Sequence, residues 1–328
     1  MQSIKNWINQ LFDPAPKRIL FRVDAGRVIG LSFGHLYRCL ILSRIIKKIY
    51  SCETIFLMKN YLEGVNLAVN NNENVIKIKK NEKDDLFLSV DKFKADYIVF
   101  DLPYDDLDLS YFTLLKKKGL KIIFIDDCRF ISPDVDIILN SNIIASKKTI
   151  LKNHIKYFLG IDYFIFDESL LTLTPIRKKD FLNIVITFGG SDPTDLTYKV
   201  LRVLLEKTKK DKKWEKIYFY VIIGSGYIEY VEKIDILIKH GYHNFQLIKN
   251  PPEIIPYFLG SDLVICAGGR TMYELLYLKK RFFPIASIEH ECEVIKTFLR
   301  YKIVKHALLK WNKHSFIKTL EMIIEHEK

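Results

Sequence analysis

One pattern runs through nearly the whole chain: short apolar runs, each followed by a stretch in helical period. In the first half, strand-like runs fall near 18–24, 53–58, 74–78, 96–101, 120–126 and 135–140. Helical stretches lie between them near 35–50, 82–93 and 106–118. A second series places strands at 182–188, 217–223, 244–248, 262–266 and 282–286. Its helices fall near 194–208, 227–240, 252–259, 271–279, 290–301 and 314–327. Alternation of this kind argues for parallel sheets with helices on both faces. Such sheets bind ligands at the carboxyl ends of their strands. Between the two series, from Ser169 to Asp180, the pattern breaks, and Pro175 with the run Arg177-Lys178-Lys179 reads as a linker. The expected fold class is therefore α/β, with two doubly wound, Rossmann-like domains facing each other across a cleft. The expected boundaries are an extension at 1–17, a first domain at 18–175 and a second at 176–328. A chain of 328 residues is long enough for two such domains.

The extension carries Ile4, Trp7, Ile8, Leu11 and Phe12 at helical spacing and is closed by Pro14 and Pro16. It reads as a helix packed on the body or on a partner subunit. A membrane-surface anchor is the alternative, and a poor one, because only Lys5 is basic inside the apolar stretch. The formal charge of +12 favours anionic partners without choosing among nucleic acid, membrane and phosphorylated metabolite. No zinc-finger spacing or RNA-binding aromatic signature points to nucleic acid. The five cysteines, Cys39, Cys52, Cys128, Cys266 and Cys292, are scattered without a C-x-x-C pair. A reducing, cytoplasmic compartment is expected. No run of about 18 apolar residues offers a membrane span.

Three glycine-rich turns each follow a strand. The first lies in FRVDAGRVIGLSFGHLYRCLILSR, where Gly26, Gly30 and Gly34 punctuate a loop that ends at His35. The second is Phe188-Gly189-Gly190-Ser191-Asp192-Pro193, and the third is Ala267-Gly268-Gly269-Arg270-Thr271. Glycine is needed where backbone approaches phosphate closely or takes positive φ. Tight strand-to-helix turns also use it for steric reasons alone, and none of the three matches a P-loop or G-x-G-x-x-G fingerprint. Glu274, one turn into the following helix, can reach a ribose diol or can simply favour the helix dipole. Histidine is the residue type best suited to a general base near neutral pH, but His35 is also what a structural histidine looks like. Asp24, Asp101 and the Asp126-Asp127 pair end apolar runs on the same rim, where capping or turn formation is the plainer role.

Taken in order, RVDA…IG…GHLYRCLILS, FIDD…DIILN, FGGSDP and ICAGGRTMYELLYL resemble the UDP-2,4-diacetamido-2,4,6-trideoxy-β-L-altropyranose hydrolases of pseudaminic acid biosynthesis. The spore-coat polysaccharide protein SpsG is a related member. More distantly, the second half is similar to the lipid-linked N-acetylglucosaminyltransferase of peptidoglycan synthesis. The resemblance covers roughly residues 18–305. It implies a GT-B architecture with the nucleotide on the second domain, and hydrolysis of a UDP-linked amino sugar without cofactor or metal. The family's base maps onto His35, in a site that takes in Asp24 and Gly34. Its diphosphate turn maps onto Gly268, Gly269, Arg270 and Thr271, and its ribose ligand onto Glu274. Uracil falls at the backbone near Ile248, and Gly189, Gly190 and Ser191 line the cleft. The alternatives are a glycosyltransferase of the same architecture and a non-catalytic sugar-nucleotide binding subunit. Three departures from the family sit around the sugar. Leu31-Ser32-Phe33 lengthens the first loop by two residues, Leu102 stands where the family has histidine, and His290-Glu291 replaces an Asn-Gln pair.

Overall fold

A computed structural model describes residues 3–26, 31, 33–79, 81–102, 110–125, 130–131, 133–190, 192–224, 226, 231–239 and 243–325. The chain divides into two compact units, 1–168 and 169–328.

The first unit is built on seven parallel strands: β1 (Arg18–Val23), β2 (Glu53–Lys59), β3 (Asn74–Ile78), β4 (Tyr97–Asp101), β5 (Lys121–Ile125), β6 (Ile137–Asn140) and β7 (Lys156–Leu159). Their order across the sheet is β3-β2-β1-β4-β5-β6-β7. The helices are α1 (Ile4–Leu11), α2 (Phe33–Tyr50), α3 (Leu62–Asn70), α4 (Glu82–Phe93), α5 (Ser110–Lys117) and α6 (Ala145–Lys148). The period-2 geometry of a strand sends alternate residues to opposite faces, and two cores result. Ile19, Phe21, Val23, Phe56 and Val99 pack with the apolar faces of α1, α2 and α3. Leu20, Leu57, Ile98, Phe100 and Phe124 pack with α4 and α5 on the other side. Both faces being buried explains why these strands are apolar at almost every position.

The amino-terminal helix is part of the first core. Ile4, Trp7, Ile8 and Leu11 are all buried, and the Trp7 ring lies 6.0 Å from Phe158 and 5.8 Å from Tyr163. The Tyr97 hydroxyl donates to Pro14 O at 2.7 Å, and Lys156 Nζ donates to Gln10 O at 2.7 Å. The apolar side that would enter a bilayer is thus occupied by the protein itself. Among the described residues, no helix is long and apolar enough to cross a membrane.

The second unit has five parallel strands: β8 (Leu182–Thr187), β9 (Ile217–Ile223), β10 (Phe245–Lys249), β11 (Leu263–Cys266) and β12 (Phe282–Pro284). Their order is β10-β9-β8-β11-β12. The helices are α7 (Leu196–Lys210), α8 (Val231–Lys239), α9 (Ile255–Gly260), α10 (Arg270–Tyr277), α11 (Glu289–Arg300) and α12 (Lys313–Glu325). Ile184, Ile186, Phe219, Ile265 and Phe283 form its core with residues of α7, α8 and α12. β8 lies at the centre, with β9 and β11 on either side. The loops that leave these three strands therefore emerge side by side.

Candidate functional site

Each unit gathers a set of polar groups and glycines at the carboxyl edge of its sheet. In the first unit, β1 and β4 are neighbours, with Val23 paired to Asp101. α2 begins at Phe33, two residues ahead of the expected start at 35, so Gly34 joins His35 in its first turn. His35, Arg38 and Cys39 stand at i, i+3 and i+4 on this helix and share one face. That face meets the end of β4. His35 Nδ1 lies 2.6 Å from Asp101 Oδ1. Arg38 grips the same carboxylate as a fork, Nη2 to Oδ1 at 2.5 Å and Nε to Oδ2, and Cys39 Sγ lies 3.5 Å from Oδ2. Asp101 is wholly buried while the His35 side chain keeps 12% exposure. Burial alone would push the Asp101 carboxyl up. The charges and hydrogen bonds of Arg38 and His35 outweigh it and hold Asp101 below the usual carboxylate range. Asp101 therefore does more than cap or turn the chain.

Asp24 departs from its expected place as a substrate ligand. Its side chain is fully buried, and Arg22 clamps both oxygens at 2.8 Å. Asp24 Oδ1 also accepts from the Lys59 amide at 2.6 Å, and Arg22 Nε donates onward to Glu82 at 2.8 Å. A buried carboxylate needs such partners, and they leave Asp24 tied to β1 and β2. The Asp126-Asp127 pair lies outside the described residues.

In the second unit, three glycine turns lie on adjacent strands. Gly189 and Gly190 follow β8, with Gly189 at φ +81°. Gly268 and Gly269 follow β11, and Gly269 caps α10. Between β9 and α8 lies a turn absent from the sequence expectations, and its Gly224 fits against Gly190. A Cβ on Gly224 would sit 2.5 Å from Gly190 Cα and 2.7 Å from Gly190 O. Gly226 N donates to Gly190 O at 2.9 Å. Asp192, buried beside this turn, accepts from Leu196 N at 2.9 Å and Thr197 N at 2.7 Å and so closes the first turn of α7. Burial pushes its carboxyl above the ordinary range. The Asp in the GGSDP run is thereby a helix-closing residue. Ser191 lies outside the described residues.

Arg270 and Thr271 open α10, and Arg270 Nε reaches Glu274 Oε1 at 3.0 Å. Both side chains are partly exposed, so the pair is available at the edge of the turn. Ile248 lies on edge strand β10, paired with Ile222 of β9, and Asn250 N donates to Ile223 O at 2.8 Å. Glu291, the departure next to His290, is buried. Its Oε2 accepts from Ser287 N at 2.7 Å and from Ser287 Oγ at 2.9 Å. A Cβ on Gly268 would lie 2.6 Å from Glu291 Cβ. This glutamate locks the start of α11 beneath the β11–α10 turn.

Helix starts present N–H groups without intrahelical acceptors and a positive dipole end. Gly189, Gly190, Gly224, Gly268 and Gly269 lie on neighbouring strand ends of the second unit, where backbone at the start of α10 is the kind of group that can meet an anion, with the Glu291 carboxylate close by. The first unit offers an imidazole fixed by a buried carboxylate. These are parts suited to holding a phosphorylated ligand and to moving a proton.

The fold belongs to the GT-B class, with two Rossmann-like domains. MurG of Acinetobacter baumannii superposes with a TM-score of 0.62 at 12% identity, over 94% of this chain and 91% of that one. The UDP-GlcNAc 2-epimerase of Neisseria meningitidis, solved with UDP-GlcNAc, gives 0.60 at 11% identity, over 94% and 92%. Anabaena HepE in complex with UDP-glucose gives 0.57 at 11% identity, over 94% and 90%. By sequence, the chain is 27% identical over 264 residues to the uncharacterized protein MJ1062 of Methanocaldococcus jannaschii, covering 76% of this chain and 52% of that protein. It is also 27% identical over 150 residues to the spore coat polysaccharide biosynthesis protein SpsG of Bacillus subtilis, covering 45% of this chain and 42% of SpsG. The matches thus span about half the length of these relatives. No family model matches the chain.

Proposed function

We propose that the protein acts on a UDP-linked amino sugar and hydrolyses it to UDP and free sugar. The observation that carries the reading is the His35–Asp101 contact of 2.6 Å at the start of α2, an imidazole oriented by an ionised carboxylate. Support for the nucleotide comes from the glycine turns and from HepE and the epimerase, whose structures hold UDP-sugars. Support for a polysaccharide precursor comes from SpsG.

In this reading the residues 169–328 hold UDP. The diphosphate lies on the Gly268-Gly269 turn with Arg270 and Thr271, Glu274 takes the ribose diol, and the backbone at Ile248 meets uracil. Gly189 and Gly190, in the same unit, lie on the phosphate side. His35 removes a proton from water as its oxygen attacks the anomeric carbon. The bond from that carbon to the β-phosphate oxygen breaks, and UDP leaves with the electron pair. Backbone N–H groups and the Arg270 guanidinium stabilise the departing charge. The compartment in this reading is the cytoplasm, where UDP-sugars are made and used.

Incubation with a panel of UDP-diacetamido and UDP-acetamido sugars, with and without acceptors, tests the proposal by UDP release and product mass. The expected result is free sugar and UDP without any acceptor, with His35→Ala slower by about 10²–10⁴-fold. Full turnover by His35→Ala would remove the assigned base. Sugar transferred to an acceptor, with little free sugar, would make the protein a glycosyltransferase instead. Tight UDP binding with no turnover on any sugar nucleotide would leave it a binding subunit.

A further inference from the structure

We propose that Asp101, against the pull of Arg38, fixes His35 as the Nδ1–H tautomer, so that Nε2 is the nitrogen that takes the proton. The inference rests on the reading of His35 as a base.

Two groups converge on His35 Nδ1 and make opposite demands of it. Asp101 Oδ1 lies at 2.6 Å. A carboxylate held in its ionised form is an acceptor only. Two acceptors without a proton between them do not settle at that separation, so this contact calls for a proton on Nδ1. Arg38 Nη2 lies 3.0 Å from the same nitrogen. A guanidinium is a donor only, so this contact alone would call for a bare Nδ1 and a proton on Nε2. The two tautomers place the basic lone pair on opposite sides of the ring.

Two features decide for Asp101. The contact is shorter by 0.4 Å, from 2.6 and 3.0 Å. Both contacts involve an ionised group, so charge assistance does not choose between them. Arg38 also has better acceptors, since its Nε and Nη2 both reach the Asp101 oxygens. Arg38 thereby acts as a positioning residue at one remove. It keeps a wholly buried carboxylate ionised, and that carboxylate orients the imidazole. The helical spacing of His35 and Arg38 and the pairing of β4 beside β1 bring the three together.

The imidazole nitrogens of ¹⁵N-histidine-labelled protein, read by long-range ¹H–¹⁵N correlation at a pH where His35 is neutral, report the tautomer directly. His35→Gln assigns the signal among the eight histidines. The wild-type protein is expected to show a protonated Nδ1 and a bare Nε2. In Asp101→Asn the carboxylate charge is gone and the amide can turn its own N–H toward Nδ1 beside the Arg38 donor, so the signal is expected to switch to Nε2–H. Turnover of the UDP-sugar should then fall about 10²–10⁴-fold in kcat, the range a positioned base supplies, with KM within about 3-fold. Arg38→Lys, which keeps a cation beside Asp101 but removes the guanidinium fork, is expected to keep Nδ1–H. A wild-type protein found as Nε2–H overturns the proposal, as does an Asp101→Asn or Arg38→Lys protein with the reverse outcome. A wild-type Nδ1–H signal in a protein whose His35→Gln variant turns over normally would instead overturn the base reading and leave the tautomer assignment intact. If Asp101→Asn does not fold, the wild-type and Arg38→Lys spectra still decide.

Discussion

Gly224 sets how closely two loops of the second domain approach. Its missing side chain lets the end of β9 rest on the backbone of Gly190, where a Cβ would come within 2.5 Å of an α-carbon. Backbone cannot swing aside as a flexible side chain can. Gly224→Ala is therefore expected to destabilise the protein by about 1–3 kcal/mol, the cost of overpacking a tight contact. Urea unfolding measures this, and an unchanged midpoint would show that the loops part freely. His35 stood out because a glycine precedes it and a change of period follows it. Arg38 did not, since an arginine at i+3 on an amphipathic helix looks like any solvated cation until β4 is known to end against it. Gly224 was hidden for a related reason, because its neighbour lies 34 positions back in the chain and only strand pairing joins them. Asp24 misled in the other direction. An aspartate at the end of an apolar run fits a ligand-binding rim, and nothing local in the sequence reveals that Arg22, two residues earlier, closes on it.

At the scale of elements, the long apolar strands were readable because both their faces are buried. α3 carries no clear mark in the sequence. LEGVNLAVN mixes five apolar residues with a glycine and two asparagines of low helical propensity, and no capping side chain opens it. β7 is likewise unmarked, being four residues with no alternating pattern. Both are held by tertiary packing rather than by propensity, as short elements usually are. α1 shows the reverse: its spacing was plain, but only the fold says what it covers. Trp7 is buried between Phe158 and Tyr163. Trp7→Ala is expected to cost about 3–5 kcal/mol, as for other large aromatic deletions from a core. Chemical denaturation tests it. A loss below about 1 kcal/mol would mean that α1 is dispensable to the first unit.

At the scale of the molecule, each unit has cores of its own, and each cluster of buried apolar residues described above lies within one of them. Calorimetry is therefore expected to resolve two transitions. UDP should raise only the one belonging to residues 169–328, by about 2.7 kcal/mol in stability at a hundred times the dissociation constant. Trp7→Ala should lower the other, which identifies it. A UDP shift confined to the first unit's transition would place the nucleotide on the wrong domain. The position of α1 also has a meaning for synthesis. The helix leaves the ribosome about 150 residues ahead of Phe158, the far side of its own binding place. At roughly 5–20 residues per second, translation takes on the order of 8–30 s to deliver that partner. For that interval a nascent amphipathic segment with an uncovered tryptophan waits in the cell, a natural client for a ribosome-associated chaperone. The first domain closes only when its seventh strand arrives.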